Sequence, residues 1–175
     1  MEHVPQPSVV VMGVSGSGKT TVGELIAQRI GVPFVDGDAL HPAANVEKMR
    51  AGHPLTDEDR WPWLDAIGAR LAEGPVVMAC SALRRAYRDR LRSEAPGLRL
   101  VYLAGSPGIL RNRMEHRHGH FMPPRLLESQ FETLEVPDAD EHAIVVDVAV
   151  PPDAVASQAA RALSAEPGTP EGDAP

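Results

Sequence analysis

The sequence predicts an α/β fold: one doubly wound, parallel sheet of five strands with helices on both faces. Three observations carry this. Short apolar, β-branched runs alternate with segments of helical period, the pattern of a parallel sheet buried between two helical layers. The 175 residues suit one domain with a substantial core. The segments richest in chemistry-bearing residues all follow strand ends, where open α/β sheets bind ligands.

SVVVMG (8–13) is the first strand, and the glycine-rich GVSGSGKT begins at its last residue. TTVGELIAQRI then places Val22, Leu25, Ile26 and Ile30 at helical spacing, with Gly31 as the stop. VPFVD is the second strand, ending in Asp36. Pro42 stands in the first turn of a short helix that ends at Gly52. Thr56 and Asp59 form a capping pair for a helix running through Trp63, Leu64, Ile67 and Leu71 to Gly74. PVVMAC is the third strand, RRAYRDRLR a charged helix and LRLVYLAG the fourth strand. Ser106 and Pro107 open another helix, which HGHFMPP breaks. Pro124 to Leu134 reads as helix, AIVVDVAV as the fifth strand, and Pro152 starts a last helix to about Ala165. No repeat or interdomain linker interrupts residues 1–165, which are expected to form one domain. The polar, Pro/Gly-rich residues 166–175 are expected to be a disordered tail.

Hydrophobic residues make up 43% of the chain and aromatics only 4%, so the core must be aliphatic. A net charge of −7 argues against a general affinity for nucleic acid or anionic membranes. Cys80 is the single cysteine, which excludes an internal disulfide and fits a reducing compartment. No basic stretch followed by a long apolar segment opens the chain, and no apolar run approaches the roughly 20 residues of a membrane helix. The expectation is a cytoplasmic protein.

Gly13, Gly18, Lys19 and Thr20 fit the GxxxxGK-Ser/Thr pattern, with a strand before and a helix after. In this setting glycines let backbone N–H groups wrap a phosphate, and the helix adds its positive N-terminal end. Gly13, Val14, Ser15, Gly16, Ser17, Gly18, Lys19, Thr20 and Thr21 are therefore the expected nucleotide-binding residues. Lys19 is expected to bridge the β- and γ-phosphates and Thr20 to ligate Mg²⁺. The motif indicates a nucleoside triphosphate such as ATP but leaves open a small-molecule kinase or a nucleotide-dependent switch. The Asn-Lys-x-Asp base-reading motif of GTPases is missing.

The third strand ends MACSA, with no carboxylate for the metal. Asp36 and Asp38 stand instead at the end of the second strand, flanking Gly37. An extended chain would turn both to one side. Asp36, nearer the strand, is expected to serve Mg²⁺, and Asp38, further out, to accept a proton from the substrate hydroxyl. Residues from about 40 to 65 form the expected substrate lobe, with His41, Lys48 and Arg60 as its polar candidates. Arg60 is first choice for a carboxylate, because a guanidinium fork matches one. Trp61 and Trp63 are expected to pack the lobe. Five arginines crowd one helix, at 84, 85, 88, 90 and 92. Most are expected to form a solvated face, with Arg84 or Arg88 reaching the substrate. Spacing of two between His116, His118 and His120 suits no zinc shell.

On GVSGSGKT, DGDALHPAANVEKMRAGHPLTDEDRWPWL, CSALRRAYRDRLR and GHFMPPRLLESQFETLEVPDADE, the chain resembles the gluconokinases, relatives of shikimate and nucleoside monophosphate kinases. These segments run from about Gly13 to Glu141. The resemblance implies a P-loop kinase fold with a substrate lobe and a mobile lid at about 116–124. It implies ATP-dependent phosphorylation of D-gluconate at its 6-hydroxyl, in a homodimer. It also implies that Arg113 and Arg117 serve the nucleotide and the transferring phosphoryl group, and His120 joins the expected substrate-binding set. A same-fold kinase of another small hydroxy acid and a non-catalytic ATP-binding regulator are the alternatives.

Overall fold

The computed structural model describes residues 6–115 and 124–165. Nearly all of the expected lid, with Arg117 and His120, and the whole expected tail lie outside the described residues. Five strands form one parallel sheet in the order β2-β3-β1-β4-β5. They are β1 (Val9–Met12), β2 (Phe34–Asp36), β3 (Val77–Ala79), β4 (Arg99–Ala104) and β5 (Ile144–Asp147). The helices are α1 (Lys19–Ile30), α2 (Ala43–Arg50), α3 (Asp57–Glu73), α4 (Arg85–Glu94), α5 (Pro107–Glu115), α6 (Pro124–Thr133) and α7 (Pro152–Ser164). Every expected element is present, several strands being shorter than expected. Two short 3-10 helices, Gly37–Leu40 and Ala139–Glu141, were not expected.

The pleat of β1 divides the core. Val9 and Val11 face one side with Val22, Ile26, Val155 and Ala159, under α1 and α7. Val10 and Met12 face the other with Trp63, Leu64, Ile67, Tyr87 and Leu91, under α3 and α4. Local signals set the helix limits. Gly31 closes α1 at φ 74°, where a side chain would be strained. Thr56 and Asp59 cap α3 reciprocally: Thr56 Oγ1 accepts from Asp59 N–H at 3.2 Å, and Asp59 Oδ2 from Thr56 N–H at 2.9 Å.

From β1 the chain crosses to β2 on one side of the sheet, and from β3 it crosses back to β4 on the other. That reversal opens the crevice in which doubly wound sheets bind ligands. Val11 and Asp36 both pair with Ala79, so β1, β2 and β3 end at one level. The phosphate loop, Asp36 and the loop after β3 therefore share one rim.

Candidate active site

The loop after β1 turns through Gly13, Gly16 and Gly18, all at positive φ, into α1. A Cβ at Gly13 would stand 2.9 Å from Ser17 Oγ and 3.1 Å from the Leu103 carbonyl oxygen, so the turn excludes side chains there. Gly18 precedes α1 and no side chain caps its first turn. The first N–H groups of the helix are left for a ligand, as anion binding requires. Lys19 Nζ donates to the carbonyls of Gly13 at 3.0 Å and Val14 at 3.1 Å. Ser15 N–H donates to Gln130 Oε1 at 2.7 Å, which ties the loop to α6. Ser17 Oγ is buried with no hydrogen-bond partner among the described residues.

Past β2 the expectation of an extended Asp-Gly-Asp needs correcting. The chain enters a 3-10 turn at Gly37, and Asp36 caps it, Oδ1 accepting from Asp38 N–H at 3.0 Å. The turn separates the two carboxylates. Asp38 is exposed and lines a cavity beside the phosphate loop, whereas Asp36 lies off its lining. Gly37 is required by space: a Cβ there would collide with the Ala79 carbonyl oxygen on β3. The Gly37 carbonyl accepts from Trp63 Nε1–H at 2.8 Å, which anchors α3 to the turn. Trp63 stacks on His41, ring centroids 4.0 Å apart. Burial, then the Arg60 charge, holds the His41 imidazole well below its usual range, at about 4.

The cavity has a volume of about 300 Å³, suited to a small molecule rather than a polymer. Ser15, Lys19, Asp38, His41, Arg60 and Trp63 are among the residues that line it. Arg60 is mostly buried; it donates to Tyr87 Oη at 3.0 Å, stands 3.9 Å from Asp57 and lies 5.3 Å from the Tyr87 ring centroid. Tyr87 Oη in turn donates to Asp57 Oδ1. Burial, and the hydrogen bond to Asp57, push the Tyr87 phenol up to about 12. Arg60 thus enters the cavity from a braced position.

Other expected residues stand elsewhere. Arg88 is fully buried, which corrects both its substrate role and its place in a solvated face. Its guanidinium donates to both Glu141 carboxylate oxygens, at 2.7 and 3.0 Å, and to the carbonyls of Ala82 and Glu135. Ala82, at φ 44°, lies between Ser81 and Leu83 of the cavity wall, so Arg88 holds that wall from behind. Lys48 is engaged by Asp59 at 2.7 Å and is not part of the wall. Arg84 stands 3.7 Å from Asp57, also off the wall. Arg113 donates to the Val148 carbonyl, beyond β5. Trp61 packs edge-on against Tyr87, as expected of a packing residue. Cys80 is buried in the core, and burial pushes its thiol up to about 12.

The sequence reading missed Asn45, Ser129 and Gln130. Asn45 is buried behind His41, and Ser129 and Gln130 line the cavity. The last two lie in the SQFETLE run, which served only to mark the resemblance.

Among the described residues no three or more His, Cys, Asp or Glu gather as a metal site. Mg²⁺ needs no such group, being held by one or two protein oxygens together with phosphates. The uncapped α1 terminus, the glycine turn and the exposed Thr20 fit a Mg²⁺–nucleotide.

The shikimate kinase family model matches residues 15–160. A gluconokinase from Gluconobacter oxydans (strain 621H) is 49% identical, the match covering 90% of this chain and 92% of that protein. The thermosensitive gluconokinase of Escherichia coli (strain K12) is 47% identical over 79% of this chain and 76% of its own. The crystal structure of a gluconokinase from Sinorhizobium meliloti 1021 superposes with a TM-score of 0.86 at 56% identity, covering 91% of this chain and 92% of that one.

Proposed function

From the premise that this chain belongs to the gluconokinase family, within the wider shikimate kinase group, we propose how its residues move the γ-phosphoryl group of ATP to the 6-hydroxyl of D-gluconate, giving 6-phospho-D-gluconate and ADP. The observation that carries the assignment is one small cavity lined by Lys19, Asp38 and Arg60 together. A phosphate-binding cation, an open carboxylate and a braced guanidinium are the three groups that a sugar-acid kinase needs.

Arg60 anchors the carboxylate of gluconate, and His41 binds along its chain, so that the far hydroxyl is aimed at the phosphate. Asp38 accepts the proton of the 6-hydroxyl as its oxygen bonds to the γ-phosphorus. The bond from that phosphorus to the β–γ bridging oxygen breaks, and ADP leaves. Lys19 turns from the loop carbonyls to the β- and γ-phosphates and stays with the charge through the transfer. Thr20 and Asp36 would hold Mg²⁺, which would supply charge neutralisation at the phosphates. Arg113 and Arg117 serve the nucleotide side, Arg117 from a lid at about 116–124. Residues from about 40 to 65 form the substrate lobe. Among the described residues no helix is long and apolar enough to cross a membrane. A cytoplasmic homodimer completes the reading, supported by the family resemblance and the single, buried Cys80.

Purified protein with ATP, Mg²⁺ and a panel of aldonic acids and sugars tests the reading. Gluconate is expected to show the highest kcat/KM and uncharged glucose to be poor. Equal kcat/KM for the two refutes carboxylate anchoring, and no transfer to any sugar acid refutes the kinase assignment.

A further inference from the structure

Behind the cavity wall, the Asn45 carboxamide lies against the His41 ring. Asn45 is 3% exposed, and its Nδ2 lies 2.8 Å from the Asp59 carbonyl oxygen and 3.2 Å from His41 Nδ1. A carbonyl oxygen can only accept, so the carboxamide atom facing Asp59 must be the nitrogen, and the amide cannot be turned over. The same nitrogen brings its second N–H to His41 Nδ1, which can receive it only as a lone pair. We propose that Asn45 is a positioning residue that locks His41 as neutral imidazole with its proton on Nε2, so that His41 offers the cavity one N–H donor and no charge. Identifying the acceptor as a hydroxyl oxygen of the sugar-acid chain rests on the reading above; the tautomer does not.

The surroundings agree. One face of the ring is covered by Trp63, itself pinned by its bond to the Gly37 carbonyl. Arg60, from α3, opposes a second positive charge on His41. Lys19, Asp38 and His53 are the other titratable groups in the cavity wall, and the Asp59 carboxylate is taken by Lys48 and the Thr56 N–H. Protonation of Nδ1 would set N–H against N–H at Asn45. With Lys19 and Arg60 already supplying cations for phosphate and carboxylate, a neutral donor suits the uncharged middle of the substrate. It also gives a stray carboxylate no third cation to grip.

The test uses the full chain, ¹⁵N-labelled. Long-range ¹H–¹⁵N correlations of its seven histidines, with His41 assigned by loss of its signals in His41→Gln, report each ring nitrogen directly. His41 is expected to show an unprotonated Nδ1 and a protonated Nε2, unchanged from pH 5 to 8. A protonated Nδ1, or titration inside that range, overturns the proposal. Asn45→Asp replaces the donor with an acceptor and should draw a proton to Nδ1. KM for gluconate is then expected to rise about tenfold, the worth of one hydrogen bond, and to vary with pH between 5 and 8. KM for ATP and kcat should stay within about twofold. An unchanged gluconate KM and pH profile in that variant overturns the positioning role. If the wild-type protein phosphorylates no gluconate while the resonances are as expected, the functional reading fails and the tautomer stands.

Discussion

Lys19 Nζ donates to two carbonyls of its own loop. Exchanging neutral partners for phosphate oxygens is the favourable direction, since charge-assisted bonds are roughly twice as strong as neutral ones. Lys19→Ala should lower turnover by about a thousandfold or more, with an unchanged circular dichroism spectrum. A near-normal rate would remove the phosphate-loop assignment. The two carboxylates beside Gly37 should separate by metal titration. Asp36→Asn should raise the Mg²⁺ concentration for half-maximal rate, with partial rescue by excess metal. Asp38→Asn should cut kcat by about 10²- to 10⁴-fold with no metal rescue. Rescue of the second variant and not the first would reverse the roles.

At the scale of elements, the segment proposed as the substrate lobe leaves the sheet at Gly37, which has β3 against its Cα and Trp63 on its carbonyl. Gly37→Ala must push the 3-10 turn off β3. A loss of about 1–3 kcal/mol is expected from urea melts, with kcat falling further than Gly31→Ala, where a Cβ meets open space, would cause. Elements of this kind were legible from sequence where their signals are local. The phosphate loop, the Thr56–Asp59 cap and the glycine stop of α1 each rest on neighbours within a few residues. Arg88 was misread because period alone cannot distinguish a solvated arginine from one whose partner, Glu141, lies 53 residues away. Asn45 and Gln130 carry no charge, and the runs that contain them marked a family without giving either residue a role. Gln130 acts on a backbone N–H 115 residues distant, a relation that only the folded chain contains. The turn at Gly37 was legible in Asp-Gly-Asp, a turn signal in which an aspartate can cap the amide two residues on; it was passed over because both carboxylates were assigned to ligands on an extended chain.

For the whole molecule, Glu141 links α4, the 3-10 turn at 139–141 and the approach to β5. Its burial opposes ionisation, but hydrogen bonds from Arg88 and Arg92 outweigh that and hold its pKa at about 2, against an ordinary value of 4.5. A carboxylate with a depressed folded pKa stabilises fully above its unfolded value and loses that stabilisation as pH falls. Glu141 therefore contributes in full above about pH 4.5 and progressively less toward pH 2. Glu141→Gln should cost on the order of 3–5 kcal/mol at pH 7, the usual penalty for unpairing a buried ion. Thermal melts should show the gap between wild type and variant narrowing as pH drops through that window. A gap independent of pH would mean that the pair is not ionised in the native state.

If the proposed sites hold, the bond between Gln130 and the Ser15 amide would make the two substrates partners in one equilibrium. Gln130 would compete with a phosphate oxygen for that N–H, and it also lines the cavity assigned to gluconate. Whichever ligand arrives first resets the side chain that the second must meet. Thermodynamic reciprocity then fixes the bookkeeping: the factor by which a non-hydrolysable ATP analogue changes gluconate affinity must equal the factor by which gluconate changes affinity for the analogue. Calorimetry in both orders measures that factor, and Gln130→Ala should bring it toward one.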